Sequence, residues 1–253
     1  MTTSFEAPVR PRSAQQAVAA RGATRRFGDV VALDGLDLAV GEGEVVAIVG
    51  PSGCGKSTLL ELVAGLQSPD AGAIEVAGSA AYMPQRDLLL PWRDAVGNAG
   101  LALESAGVPR REARRRAAPM FERLGLGRFE HARPHELSGG MRQRVAFLRT
   151  LLSGRPLLLL DEPFGALDAI TRASMQDWFA GALQAEPRTV LLVTHDVTEA
   201  LLLADRVVVL SPRPGRVVAE LAVELPRPRV RRDLVGDPAF TDLERRALEA
   251  LGC

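Results

Sequence analysis

The sequence predicts an α/β fold: a core of short buried strands and helices, a small antiparallel β region ahead of it, and an α-helical insertion within it. Three observations carry this. The apolar run Val45-Val46-Ala47-Ile48-Val49 meets a glycine-rich stretch, and a helical pattern through Leu59, Leu60 and Ala64 follows, which makes a strand–loop–helix unit. A second apolar run, Pro156 to Leu160, stops at the acidic pair Asp161-Glu162. Between these units, residues 86 to 152 change to helical patterning.

Taken in order, residues 1 to 16 are polar and contain Pro8 and Pro11, so they read as a disordered lead-in, with residues 17 to 253 as one domain. Short strands are expected at Ala20 to Phe27, Val31 to Leu33 and Leu36 to Val40. Gly41-Glu42-Gly43-Glu44 reads as a hairpin turn into the strand at Val45. After the first core helix, Ser68 to Gly72 is a turn, and strands at Ala73 to Val76 and Ala80 to Met83 end at Pro84-Gln85. Leu88-Leu89-Leu90-Pro91-Trp92 has neither helix nor strand periodicity, Pro91 blocks a helix, and the segment reads as an exposed apolar loop. Helices follow over Asp94 to Ser105 and Arg110 to Leu124, the second entered through Pro109. Arg110, Arg111, Arg114, Arg115 and Arg116 read as its solvated face.

Leu137-Ser138-Gly139-Gly140 opens a helix to about Leu152, and a helix from Thr171 to Gln184 leads into a strand at Thr189 to Val193. Thr194-His195-Asp196 closes that strand and opens another helix before the strand Arg206 to Leu210. Residues 212 to 253 form a C-terminal extension with a strand at Val217 to Val223 and a helix from Phe240 to Leu251.

Composition excludes several classes. The 253 residues balance 31 acidic against 31 basic side chains, so no bulk charge points to nucleic acid. No apolar stretch approaches the length of a membrane span, and the N-terminus lacks the apolar core of a signal peptide. Cys54 and Cys253 cannot build a disulfide framework, which fits a reducing compartment.

The chemistry begins at Gly50-Pro51-Ser52-Gly53-Cys54-Gly55-Lys56-Ser57-Thr58, whose spacing is that of a phosphate-binding loop. Glycines let backbone N–H groups turn inward around phosphates, and the helix N-terminus adds partial positive charge. Lys56 is expected at the β- and γ-phosphates of ATP and Ser57 at Mg²⁺. Lys56 is also the only lysine of the chain, and every other basic position is arginine. A cradle needs a compact ammonium on a flexible stem, which a guanidinium fork does not replace. Cys54 fills a variable position of the loop. Asp161 is placed to hold Mg²⁺ directly or through water, and Glu162 to orient and deprotonate an attacking water. By position alone, Phe27 is either core or an adenine platform.

With these motifs in order, the chain resembles the ATPase subunits of ABC transporters from about Val18 to Leu210. Leu137-Ser138-Gly139-Gly140-Met141-Arg142-Gln143-Arg144 looks like the signature of that family. Gln85 matches its Q-loop, Ala166-Leu167-Asp168 its D-loop and His195 its H-loop histidine, and Phe27 falls at its adenine-stacking position. His131 and His135 match no catalytic position. Phe147 stands where the family more often has a smaller residue.

The resemblance implies a phosphate-loop ATPase core and two subunits that bind ATP head to tail. Ser138, Gly139 and Gly140 of one would cap the γ-phosphate held by Lys56 of the other, so a homodimer would carry two competent sites. Phe27, residues 50 to 58, Gln85, Gln143 and Asp168 are the further nucleotide positions it implies, with Ser57, Gln85 and Asp161 toward Mg²⁺ and Glu162 and His195 as the catalytic pair. It also implies a membrane permease docked near Leu88 to Trp92, a solute-binding protein reached through the complex, and a peripheral place on the cytoplasmic face of the membrane. Asp161 to Asp168, Leu89 to Trp92 and Ser211-Pro212-Arg213-Pro214-Gly215-Arg216 look like importers of nitrate, sulfonates and taurine, a group whose relatives import thiamine-precursor pyrimidines. The chain ends soon after its core, without the large regulatory domain of sugar-type importers. The alternatives are a non-transport ABC ATPase and a nucleotide-binding regulator that does not hydrolyse; intact Glu162 and His195 argue against the second.

Overall fold

The protein is described by a computed structural model covering residues 15–234 and 236–252. In chain order the strands are β1 (Gln16–Phe27), β2 (Val30–Gly41), β3 (Val45–Val49), β4 (Ala71–Val76), β5 (Ala80–Met83), β6 (Leu157–Asp161), β7 (Thr189–Thr194), β8 (Arg206–Leu210) and β9 (Val217–Ala222). The helices are α1 (Lys56–Val63), α2 (Ala95–Ala99), α3 (Leu101–Ser105), α4 (Arg110–Arg123), α5 (Gly139–Leu151), α6 (Ala169–Ala185), α7 (Val197–Leu203), α8 (Arg231–Leu234) and α9 (Pro238–Leu251). The lead-in expected over residues 1 to 16 lies outside the described residues up to 14, and Gln16 already belongs to β1. Cys253 lies outside them as well.

Two sheets form. One is antiparallel, in the order β2-β1-β4; the other has six strands in the order β5-β6-β7-β3-β8-β9, parallel except for the edge strand β9. The central strands read as unbroken apolar runs because both faces of the larger sheet are covered. Their alternate residues feed two different cores. Val45, Ala47, Val49, Leu158, Leu160, Val190 and Leu192 pack with α2, α4, α5, α6, α7 and α9. Val46, Ile48, Leu157, Leu159, Leu191 and Val193 pack with α1 and the antiparallel sheet.

The turn at Gly41–Glu44 is present, with Glu44 N–H donating to Gly41 C=O at 3.2 Å, but it is not a hairpin. It passes the chain from one sheet to the other, since β2 pairs with β1 whereas β3 lies between β7 and β8. The short strands expected over 31 to 40 are one strand, β2, paired along its length with β1. The helix expected over 94 to 105 is split at Gly100, where α4 crosses closely: a Cβ would lie 3.2 Å from the Ala113 backbone, a tight contact.

The arginine run is only partly a solvated face. Arg115 and Arg116 pair with Glu112 on the surface, but Arg114 reaches across the insertion to Asp94 in a bidentate pair at 2.6 and 2.7 Å. That guanidinium holds the Asp94 carboxyl down at about 2. Phe147 replaces a smaller residue without crowding because α5 meets an aromatic cluster: its ring centroid lies 5.5 Å from Phe164 and 5.1 Å from Phe179.

Candidate active site

The glycine-rich stretch folds as the turn between β3 and α1. Gly50 approaches β8 so closely that a Cβ would meet the Leu210 carbonyl at 3.2 Å. Gly55 sits at φ 108° against the Ala32 carbonyl, 2.7 Å from where a Cβ would be. Gly55 has no room for a side chain, and a Cβ at Gly50 would need its neighbours to give way. Gly55 is also the N-cap of α1, and no side chain caps that helix among the described residues, so its first N–H groups face the loop.

Lys56 is buried, and its Nζ donates to the Gly50 carbonyl at 2.8 Å and the Pro51 carbonyl at 2.9 Å. The ammonium therefore lies in the concavity of the loop. Cys54 is buried against Gly50, with Sγ 3.9 Å from Nζ. Behind the loop, at the end of β6, Asp161 is buried and hydrogen-bonded to Ser57. Burial pushes its carboxyl above the ordinary carboxylate range, against the opposing effects of Ser57 and Lys56. A buried carboxylate facing a serine hydroxyl fits the hard oxygen donors of Mg²⁺.

Glu162 is next in the chain and has φ 47°, a left-handed conformation that a non-glycine residue seldom adopts. Three contacts hold its backbone: Glu162 N–H donates to Val193 C=O at 2.9 Å, and its C=O accepts from Gln143 Nε2 at 2.7 Å and from Gly165 N–H at 3.1 Å. Its carboxylate is then aimed between two polar groups. Gln85 Nε2 donates to Oε2 at 3.2 Å, and His195 Nδ1 lies 3.3 Å from Oε1. Residues from the ends of β5, β6 and β7 thus converge at the carboxyl edge of the sheet, as expected of an open α/β fold.

A cleft of about 350 Å³ runs over these groups, lined by Phe27, Ser52, Gly53, Gly55, Lys56, Ser57, Thr58, Gln85 and Glu162, together with Arg213. Phe27 is half exposed at the end of β1, and Arg25 covers its ring from 4.8 Å. Arg25 is itself held by Asp70 and Gln67, so the aromatic platform has a fixed backing. Larger grooves exist elsewhere, such as one of about 630 Å³ beside Trp178, but none of the phosphate-loop residues lines it.

Other expected site residues lie apart from this cleft. Ser138 caps α5 through Met141 N–H at 3.2 Å, and Gly140 abuts the Ala166 carbonyl and Leu167; neither they nor Gly139 line the cleft of their own chain. Asp168 is an N-cap, accepting from Ile170 and Thr171 N–H, contacts that lower its pKa. Gln143, expected at the nucleotide, turns its side chain inward in this chain. Its side chain is buried, with Nε2 on the Glu162 carbonyl and Oε1 accepting from Ala166 N–H at 2.8 Å. Both ends of the amide are therefore bound inside the protein, and Gln143 braces the strained Glu162 backbone against α5 and the 166–168 loop.

The loop after Gln85 is also divided. Leu88 and Trp92 are exposed, 57% and 69%, but Leu89 is buried in the helical core, which corrects the reading of Leu88 to Trp92 as uniformly exposed. Buried Asn98 makes this possible, accepting from Leu90 N–H at 2.7 Å and donating to the carbonyls of Leu90, Arg93 and Asp94. Arg142 and Arg149 of α5 clamp Asp87 and Leu88 from the other side. Spacing carries no trace of these cross-links.

Behind His195, Glu199 of α7 is buried and accepts from Gln176 of α6 at 2.8 Å, with Thr194, Asp196 and Arg172 around it. Burial pushes it up to about 7 from 4.5. The folded chain therefore holds a proton there that the unfolded chain releases, and stability falls as pH rises from about 4.5 to about 7. Glu199→Gln should flatten this fall, with a gain of roughly 3 kcal/mol on the alkaline side. Urea unfolding at about pH 5 and about pH 8 checks it; an unchanged pH slope would refute it.

A family model described as ABC transporter matches residues 33–165. The aliphatic sulfonates import ATP-binding protein of Mycobacterium sp. (strain MCS) is 49% identical over 93% of this chain and 94% of its own. The formylaminopyrimidine import ATP-binding protein of Halalkalibacterium halodurans is 48% identical over 76% of this chain and 78% of its own. The taurine import ATP-binding protein of Burkholderia pseudomallei (strain K96243) is 41% identical over 89% and 92%. Among solved structures, a dimeric ATP-binding cassette in a post-hydrolysis state with ADP and Pi superposes with a TM-score of 0.75 at 29% identity, covering 83% of this chain and 100% of that one.

Proposed function

The chain belongs to the ABC transporter family of ATP-binding subunits, and on that premise we propose that it powers an importer for a small solute of the sulfonate, taurine or nitrate kind. Hydrolysis of ATP coupled to transport is the activity of this family. The observation that carries the reading is the convergence of Lys56, Ser57, Gln85 and Glu162 on one cleft, with His195 against Glu162 and Asp161 behind Ser57.

In this reading Phe27 stacks on adenine and residues 50 to 58 wrap the phosphates. Ser57, Asp161 and Gln85 hold Mg²⁺, which when bound offsets phosphate charge. Glu162 accepts the proton of the attacking water, and Gln85 and His195 hold its carboxylate in position. Ser138, Gly139 and Gly140 would come from a second copy, since the chain's own signature residues do not line its cleft and the solved relative is a dimer. No helix among the described residues is long and apolar enough to cross a membrane, in keeping with a peripheral subunit on the cytoplasmic face, beneath permease subunits and reached by a solute-binding protein through them.

Leu88 and Trp92 supply the permease contact in this proposal. Large apolar side chains exposed together mark a docking surface. Arg142 and Arg149 tie the same loop to α5, so movement of the signature helix reaches it. Trp92→Ala should lower co-purification with the permease while ATP turnover of the isolated chain is kept. Leu89→Asp should instead unfold the subunit by placing a charge in the core. Equal permease recovery with Trp92→Ala would place the contact elsewhere.

Uptake assays test the whole reading. Cells carrying the chain with its permease and binding protein should take up taurine, an alkanesulfonate or nitrate, and Glu162→Gln should abolish that uptake. A formylaminopyrimidine is the second reading, favoured by the 48% identical relative, and uptake of that compound alone would select it.

A further inference from the structure

We propose that Arg213, on the loop after β8, is a further nucleotide-binding residue that directs a second cation at the phosphates of ATP. The proposal deepens the ATPase reading and rests on it. Arg213 lines the same cleft as Phe27, Lys56, Ser57 and Glu162, although it is distant from them in sequence. Its Nη2 lies 3.4 Å from where a Cβ on Gly53 would sit, so the guanidinium lies over the phosphate loop at a residue with no side chain to obstruct it.

The loop is held without this side chain. Ser211 Oγ donates to Pro214 C=O at 2.8 Å and accepts from Arg216 N–H at 3.0 Å. Gly215 N–H donates to Ala32 C=O at 2.9 Å, and Gly215 C=O accepts from Asp34 N–H at 3.2 Å. Gly215 also presses on the phosphate loop, since a Cβ there would lie 2.2 Å from the Cys54 carbonyl. Arg216, on the same loop, is used in an ion pair with Asp34. Arg213 is exposed and makes no hydrogen bond or ion pair among the described residues. Pro212 and Pro214 restrict the backbone on either side of it. An arginine presented on a rigid loop above a phosphate cradle, with its planar set of donors unused, matches phosphate oxygens.

The test is titration of the purified full chain with MgATP and MgADP, comparing the unaltered protein with Arg213→Gln and Arg213→Lys. Arg213→Gln should weaken both nucleotides roughly tenfold and flatten the salt dependence of binding, while the melting temperature stays unchanged. Arg213→Lys should recover part of the affinity by keeping the charge. Unaltered affinity in Arg213→Gln would overturn the proposal while leaving the ATPase reading intact. A fall in melting temperature matching the loss of affinity in both variants would overturn it too, by making Arg213 a support of the loop. If the unaltered chain binds no ATP, the ATPase reading itself falls.

Discussion

Glu162→Gln should leave ATP bound and cut phosphate release by roughly 10²–10⁴-fold, the range that a positioned general base contributes. In the proposed mechanism the substitution removes the proton acceptor and little else. Glutamine fills the same space, and the contacts that hold the residue at φ 47° run through the backbone, to Val193, Gln143 and Gly165. Gln85 and His195, which approach the two carboxylate oxygens, can still bond an amide. ATP bound without turnover should accumulate the closed dimer, visible as an ATP-dependent shift to twice the mass in size-exclusion chromatography. Near-normal phosphate release would move the base elsewhere, with His195, whose Nδ1 lies 3.3 Å from Glu162 Oε1, next in line.

Lys56→Ala should weaken ATP binding by roughly 10- to 100-fold, the equivalent of about 1.5–3 kcal/mol for a charge-assisted hydrogen bond. Two losses combine. The phosphates lose their ammonium, and the carbonyls of Gly50 and Pro51 lose the donor that now holds them inward. Lys56→Arg should fail as well, because the ammonium is buried under a loop already closed around it and a guanidinium is larger and planar. Titration with a fluorescent nucleotide checks both variants. Affinity unchanged in Lys56→Ala would count against the nucleotide site as a whole. Because Lys56 is the only lysine of the chain, an amine-reactive label excluded by ATP would report occupancy at this one side chain.

The order of strands and helices was largely legible because it rests on local patterns. Apolar runs bounded by turn residues marked β3, β6, β7 and β8, and Pro109 marked the start of α4. The phosphate loop was legible for a stronger reason. Gly50 and Gly55 are required by close backbone approach and Lys56 by charge, a combination that few other local structures demand at this spacing. Gln85 and Glu162 come to this loop through the strand order of the larger sheet, which sets the ends of β5 and β6 near that of β3, whereas Phe27 reaches the same cleft from β1 of the antiparallel sheet.

Tertiary structure alone decided what depends on contacts between distant segments. A three-leucine run looks uniform in sequence, yet Asn98 turns Leu89 into the core and leaves Leu88 outside. Gly41–Glu44 has hairpin composition whether the next strand joins the same sheet or another, and strand pairing settles that. Gln143 lies in a motif associated with nucleotide, but its position on α5 aims the amide at the Glu162 carbonyl. Arg213 and Arg216 are alike in sequence; Asp34 occupies one, and the cleft receives the other. Sequence by itself determined which chemistry the chain carries, because spacing and residue type are properties of a single segment. Which side chains remain available for that chemistry was decided by the fold, since a hydrogen bond made inside the protein removes the donor or acceptor from the site.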